Sequence, residues 1–116
     1  MNDSLSQLQI IATENANKHK WKVRWNQMLL GNIEEVQKGY RYLSIGDAIA
    51  LCHSELSEAL DAYRNDDKGN FAEEMADTVI RILHLCGDIN IDLTTAINQK
   101  MLKNQNRPIN HGRKNL

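Results

Sequence analysis

The chain has 116 residues, 25% of them charged and 41% hydrophobic, with a formal net charge of -1. That is the size and composition of one globular domain with a modest core, and the charge balance carries no nucleic-acid signature. No charged stretch followed by an apolar run opens the sequence, no apolar run nears the ~18 residues of a membrane span, and Cys52 and Cys86 lie on apolar helical positions without a CxxC spacing, so reduced core cysteines and a cytoplasmic location are expected.

The only proline, Pro108, stands near the end of the chain, and so few helix breakers predict an all-α protein. The first helix is expected from about Ser4 to Leu30. Leu5, Leu8, Ala12, Ala16 and His19 keep a 3–4 spacing, and so do Trp21, Trp25, Met28 and Leu29. Asp3 or Ser4 caps its start. The stretch "GNIEEVQKGY" is punctuated by Gly31 and Gly39 and holds either a loop or a short helix. Ser44 then caps a second helix, with Asp47 as a weak capping partner. Its apolar positions, Ile45, Ile49, Cys52, Leu56, Ala59 and Tyr63, follow a nearly strict heptad, and the turn formers of "NDDKGN", 65–70, stop it.

A third helix is predicted from about Phe71 to Cys86. It is apolar on most sides through Met75, Ala76, Val79, Ile80, Ile82, Leu83, Leu85 and Cys86, the pattern of a central, buried helix, with Gly87 as its C-terminal stop. A fourth opens after Asn90 or Asp92, carries Leu93, Ala96, Ile97, Lys100, Met101 and Asn104, and closes at Pro108. The helical core therefore spans about 4–106 of a single 1–116 domain, followed by a short basic tail, 107–116. Short connections between helices favour antiparallel neighbours, hence a four-helix-bundle-like arrangement. The third helix needs more apolar cover than so short a chain provides, which predicts a homodimer or homotetramer.

Two segments carry the chemistry. "SELSEAL", 54–60, sets Glu55 and Glu58 three residues apart, and "EEMADTV", 73–79, does the same with Glu74 and Asp77. Residues at that spacing share one helix face. Clustered carboxylates beside apolar residues repel one another and are costly to desolvate; a hard divalent cation with a taste for oxygen ligands removes both costs. On the residues alone two readings stand. One is a metal site shared by consecutive helices. The other is a pair of solvated faces on a helical interaction module whose basic tail docks a partner.

"SELSEAL" and "EEMADTVIRILHL" resemble the MazG-type nucleoside triphosphate pyrophosphohydrolases of the all-α NTP pyrophosphatase superfamily. That family's signature is an EExxE stretch, a variable spacer, then ExxD. Glu55 and Glu58 match the last two acids of the first element, and Glu74 and Asp77 match the second. Ser54 stands where the family often has the leading glutamate, which leaves open the number of metal ions and the way the attacking water is held. "KMLKNQNRP", 100–108, looks like the family's basic segment, so the resemblance covers roughly 45–110.

The resemblance implies hydrolysis of a nucleoside triphosphate, usually a deoxynucleotide, to the monophosphate and pyrophosphate, in a role such as clearing the nucleotide pool. It implies Mg2+, or Mn2+ in its place, held by Glu55, Glu58, Glu74 and Asp77, with Glu58 or Glu55 as general base. Lys100, Asn104 and Arg107 share a face of the fourth helix and would contact phosphates, or form an exposed polar face. Arg81 reaches the phosphates or neutralises the acids. Trp21, Trp25, His19 and Asn26 on the first helix are candidates for the base, although tryptophans at helical spacing also serve as core or interface. His53 and His84 are packing or supporting groups. Dimeric dUTPases and phosphoribosyl-ATP pyrophosphohydrolases share the acidic arrangement and differ in the base pocket.

Overall fold

The structure, a computed structural model, describes residues 4–24 and 37–108; Trp25, Asn26, Met28, Leu29 and the tail beyond Pro108 lie outside the described residues. The element order is α1 (Leu5–Lys18), β1 (Trp21–Arg24), β2 (Arg41–Ser44), α2 (Ile45–Arg64), α3 (Lys68–Asp88) and α4 (Leu93–Gln105). The described residues are mostly helical, as the scarcity of helix breakers predicts, with one two-stranded sheet. No helix among the described residues is long and apolar enough to cross a membrane.

Each helix start is written in the sequence. Ser4 and Gln7 form a reciprocal capping box, the Ser4 hydroxyl accepting from Gln7 N at 3.2 Å and the Gln7 side chain accepting from Ser4 N at 2.8 Å. Ser44 accepts from Asp47 N at 3.0 Å, Asp67 from Asn70 N at 3.1 Å and Asp92 from Thr95 N at 3.2 Å. A cap of this kind is worth ~1 kcal/mol. The Asp67 cap draws Lys68, Gly69 and Asn70 into the first turn of α3, so that helix begins three residues before the expected Phe71.

The long first helix, 4–30, is corrected. α1 ends at Lys18, His19 caps it, and Lys20 turns into the left-handed region with φ 67. Trp21–Arg24 then pairs in parallel with Arg41–Ser44, in the register Trp21↔Arg41 and Val23↔Leu43. The physical reason is burial: Val23 is only 3% exposed and packs with Ala48 and Leu85 against Leu43, Ile45 and Ile89. Tertiary contact overrides the helical spacing read from Trp21 onward. Gly87 is also not a stop. It lies inside α3, which runs to Asp88, and its missing side chain lets α1 approach: a Cβ there would run into the Thr13 hydroxyl.

α2 and α3 form an antiparallel hairpin through a turn in which Asp66 is left-handed (φ 54). Small residues line their contact, with Ala59, Ala62 and Thr78 buried. α1 lies along α3, and its buried Gln9 amide ties it to the connection after α3 and to the start of α4. The amide nitrogen donates to Ile91 O at 2.9 Å and its oxygen accepts from Leu93 N at 3.4 Å. The heptad of α2 is covered at Ala59 but not at Ile49, Leu56 or Tyr63. α3, expected to be buried on most sides, leaves Val79 and Ile80 about half exposed in the single chain. Cys52 and Cys86 are free and half-buried, with burial pushing both thiols up.

Candidate functional site

The antiparallel hairpin decides which acids meet. Glu55 and Glu58 on α2 face Glu74 on α3, and one carboxylate oxygen from each lies within 4.8 Å of the other two. The Glu74 Oε2 atom is buried, and no cationic, amide or hydroxyl donor reaches it. Glu74 is pushed up to about 7, first by a hydrogen bond shared with Glu55 and then one shared with Glu58, with desolvation and the two negative charges adding to it. A carboxyl that shares hydrogen bonds with carboxylates must carry the proton between them.

Arg81, one turn past Asp77, places its Nε 3.0 Å from Glu55 Oε1. It therefore neutralises part of the cluster and fixes the direction of Glu55. Asp77 stands apart from the three clustered acids. It is exposed, and together with Glu55 and Arg81 it lines a cavity of about 990 Å³ between α1 and α3. Along α1 the lining runs from Leu8 to His19, some ~16 Å at the helical rise. Asn15, His19 and Trp21 line it, as do the aliphatic Ile11, Val79 and Ile80. The Arg41 guanidinium lies over the Trp21 ring, 5.4 Å from its centroid, a cation–π contact that fixes the indole. Trp21 thus reaches the cavity from a strand, not from the helix predicted for it. Trp25 lies outside the described residues.

Lys100 and Asn104 are exposed on α4 and line no part of this cavity. Arg107 is not on the helix at all: α4 ends at Gln105, and Arg107 N bonds Asn104 O at 3.3 Å in the closing turn. His53 is exposed on a shallower groove between α2 and α3, lined also by Leu56, Leu60 and Phe71. His84 packs its Nε2 2.8 Å from Asp88 Oδ2, yet the ring nitrogen is left without a directed hydrogen bond, so the contact is close packing more than a well-aimed bond.

Sequence reasoning missed Asp88 and Asn15. Asp88 is the anchor of the β1 segment, since its Oδ2 accepts from Val23 N at 2.7 Å and its Oδ1 from Asn17 Nδ2 at 3.4 Å. The His84–Asp88 spacing of one helical turn was readable; the strand partner was not. Period-two alternation over Trp21–Arg24 and the aromatic-rich Tyr40–Leu43 after Gly39 were the available signals for the two strands.

No protein-family model matches the chain, and no curated protein or solved structure does either.

Proposed function

We propose that the chain is a Mg2+-dependent nucleoside triphosphate pyrophosphohydrolase with a MazG-like, oligomeric helical fold, converting an NTP or dNTP to the monophosphate and pyrophosphate. The observation that carries the reading is the convergence of Glu55, Glu58 and Glu74 within 4.8 Å, from two helices, beside a cavity that also holds Asp77 and Trp21. The three acids fit a hard cation. They are oxygen ligands, no cationic, amide or hydroxyl donor reaches the buried Glu74 Oε2, and their mutual repulsion is what a cation would relieve. Glu55, Glu58 and Glu74 would hold it, while Asp77 stands on the wall of the neighbouring cavity. Bound there, Mg2+ supplies charge neutralisation for the phosphate oxygens and acidifies water.

The chain's own groups then divide the work. Glu55 is committed to Arg81, which fixes its direction. Glu58 is exposed and has no such cation beside it among the described residues, so it is the group placed to accept a proton from the attacking water. Arg81, 41% exposed at its side chain, can also face phosphate oxygens with its remaining N–H groups. Trp21 offers a ring for the base, and Asn15 and His19 offer hydrogen-bonding edges along the same wall. A panel of common and modified NTPs and dNTPs with Mg2+, read out as pyrophosphate, tests the proposal. Wild-type protein that releases pyrophosphate from none of them sinks it.

A further inference from the structure

The hydrolysis scheme leaves the buried Asp88 carboxylate unused. Asp88 ends α3, ~21 Å along the helix from Glu74, and its side chain is 8% exposed. A carboxylate so enclosed is costly unless donors surround it. Donors from three elements do. Val23 N on β1 donates to Oδ2 at 2.7 Å, Asn17 Nδ2 on α1 donates to Oδ1 at 3.4 Å, and His84 Nε2, one turn back on α3, lies 2.8 Å from Oδ2.

Val23 N and His84 Nε2 meet the same oxygen, so the strand and the imidazole are immediate neighbours. Trp21 stands two residues before Val23, on the same face of β1, and Trp21 and His84 both line the cavity. Asp88 also decides which ring nitrogen of His84 carries the proton. A neutral imidazole has one N–H, and two lone pairs facing each other at 2.8 Å repel, so Nε2 holds the proton even though its approach is oblique. Nδ1 then keeps its lone pair. No group among the described residues bonds it, and the ring stays 12% exposed on the cavity wall. An ionised phosphate only accepts hydrogen bonds and gives such an atom nothing. A flat heterocycle with an N–H on its edge satisfies both the acceptor and the indole beside it.

We infer that His84, its tautomer set by Asp88, accepts an N–H from the edge of the base at Nδ1 while Trp21 covers the face of that base. The inference rests on the hydrolase reading and narrows its substrates. They carry a free donor at that edge: the exocyclic amine of cytosine or adenine, or the ring imino N–H of uracil, thymine or guanine. Nucleotides alkylated there are the class it excludes, because a site built to hydrogen-bond a substrate N–H rejects the analogue that lacks it. Asp88 is a positioning residue. It acts through His84 and through the strand that carries Trp21.

Heteronuclear NMR of the full chain with isotope-labelled histidine, at pH 8 and assigned by comparison with His84→Ala, reads the tautomer. The Nε2–H form is expected for His84, and the Nδ1–H form overturns the inference. Kinetics read the contact. For a nucleotide that the wild type turns over, His84→Ala should raise KM roughly 2- to 13-fold, the range of one net hydrogen bond, with kcat changed less. For the analogue whose edge N–H groups are all methylated, the same variant should leave KM unchanged. His84→Asn, whose short amide can place its oxygen near the position of Nδ1, should recover part of the loss. Equal rises in KM for both nucleotides mean that His84 only packs the wall, and overturn the inference. Asp88→Ala, assayed well below its melting temperature, should repeat the selective rise in KM and release the tautomer, a change that loss of stability alone does not produce; an unchanged tautomer there removes Asp88 from its positioning role. If the wild type hydrolyses nothing, the hydrolase reading fails, and titration of free deoxycytidine, deoxyadenosine and deoxyuridine into the labelled protein still decides the base contact. A shift at His84 Nδ1 upholds it, and its absence overturns it.

Discussion

Binding of Mg2+ to the acidic cluster should expel a proton whose amount is set by pH. Glu74 is pushed up to about 7 by sharing hydrogen bonds with Glu55 and Glu58, and the proton belongs to the three acids together. A cation needs them all ionised. With an apparent pKa near 7, the cluster holds about 0.9 proton at pH 6, about 0.5 at pH 7 and about 0.1 at pH 8. Calorimetric titration of Mg2+ in two buffers of different ionisation enthalpy reads that number directly. The same competition should weaken the apparent Kd about tenfold between pH 8 and pH 6. Stability without metal follows with the opposite sign. Because the folded value lies above the ordinary 4.5, the contribution is fully present below pH 4.5 and is lost as pH rises through about 7. The metal-free protein should therefore melt at progressively lower temperature from pH 5 to pH 8, and Mg2+ should restore more at the upper end. Asp92, held below its ordinary 3.8 chiefly by its hydrogen bonds from Thr95, acts under that window and does not mask it. Glu74→Gln should abolish both effects. Proton release near zero at pH 6, or a metal-free melting temperature that climbs between pH 5 and 8, would refute the shared-proton account.

Glu58→Gln and Asp77→Asn should each lower turnover by orders of magnitude with the fold intact, and Glu58→Gln should melt higher than wild type in chelator at pH 8; near-normal kcat in either variant contradicts the metal site. Trp21→Ala should raise KM roughly 5- to 150-fold with a smaller change in kcat, from ~1–3 kcal/mol of lost stacking; unchanged KM for every nucleotide turned over makes Trp21 a structural residue. Gly87→Ala gains helix propensity but collides with Thr13, and overpacking should dominate, costing ~1–3 kcal/mol in denaturant titration; a neutral or stabilised variant means that α1 yields freely. Asp88→Ala leaves Val23 N and Asn17 Nδ2 without their acceptor and should cost ~1–3 kcal/mol; wild-type stability would show that β1 is not held there.

Local rules made the helices legible. Ser4, Ser44 and Asp92 sit where a side-chain oxygen can take a free backbone N–H, and each cap forms. The i, i+3 spacing put Glu55 beside Glu58 before any packing was known, because that is a property of one helix. What needed two helices was decided only by the hairpin. Its antiparallel register brings Glu74 to both α2 acids and leaves Asp77 to the cavity wall, a choice that no spacing within α3 contains. Trp21–Arg24 became a strand because Val23 finds Ala48 and Leu85, residues far along the chain. Gly87 reads as a helix stop from sequence, yet serves as the gap through which Thr13 approaches. Caps and helix faces are short-range and survive in any context. Strand pairing, close helix contact and the choice of which acids share a proton depend on residues dozens of positions apart, and only the packed chain brings them together.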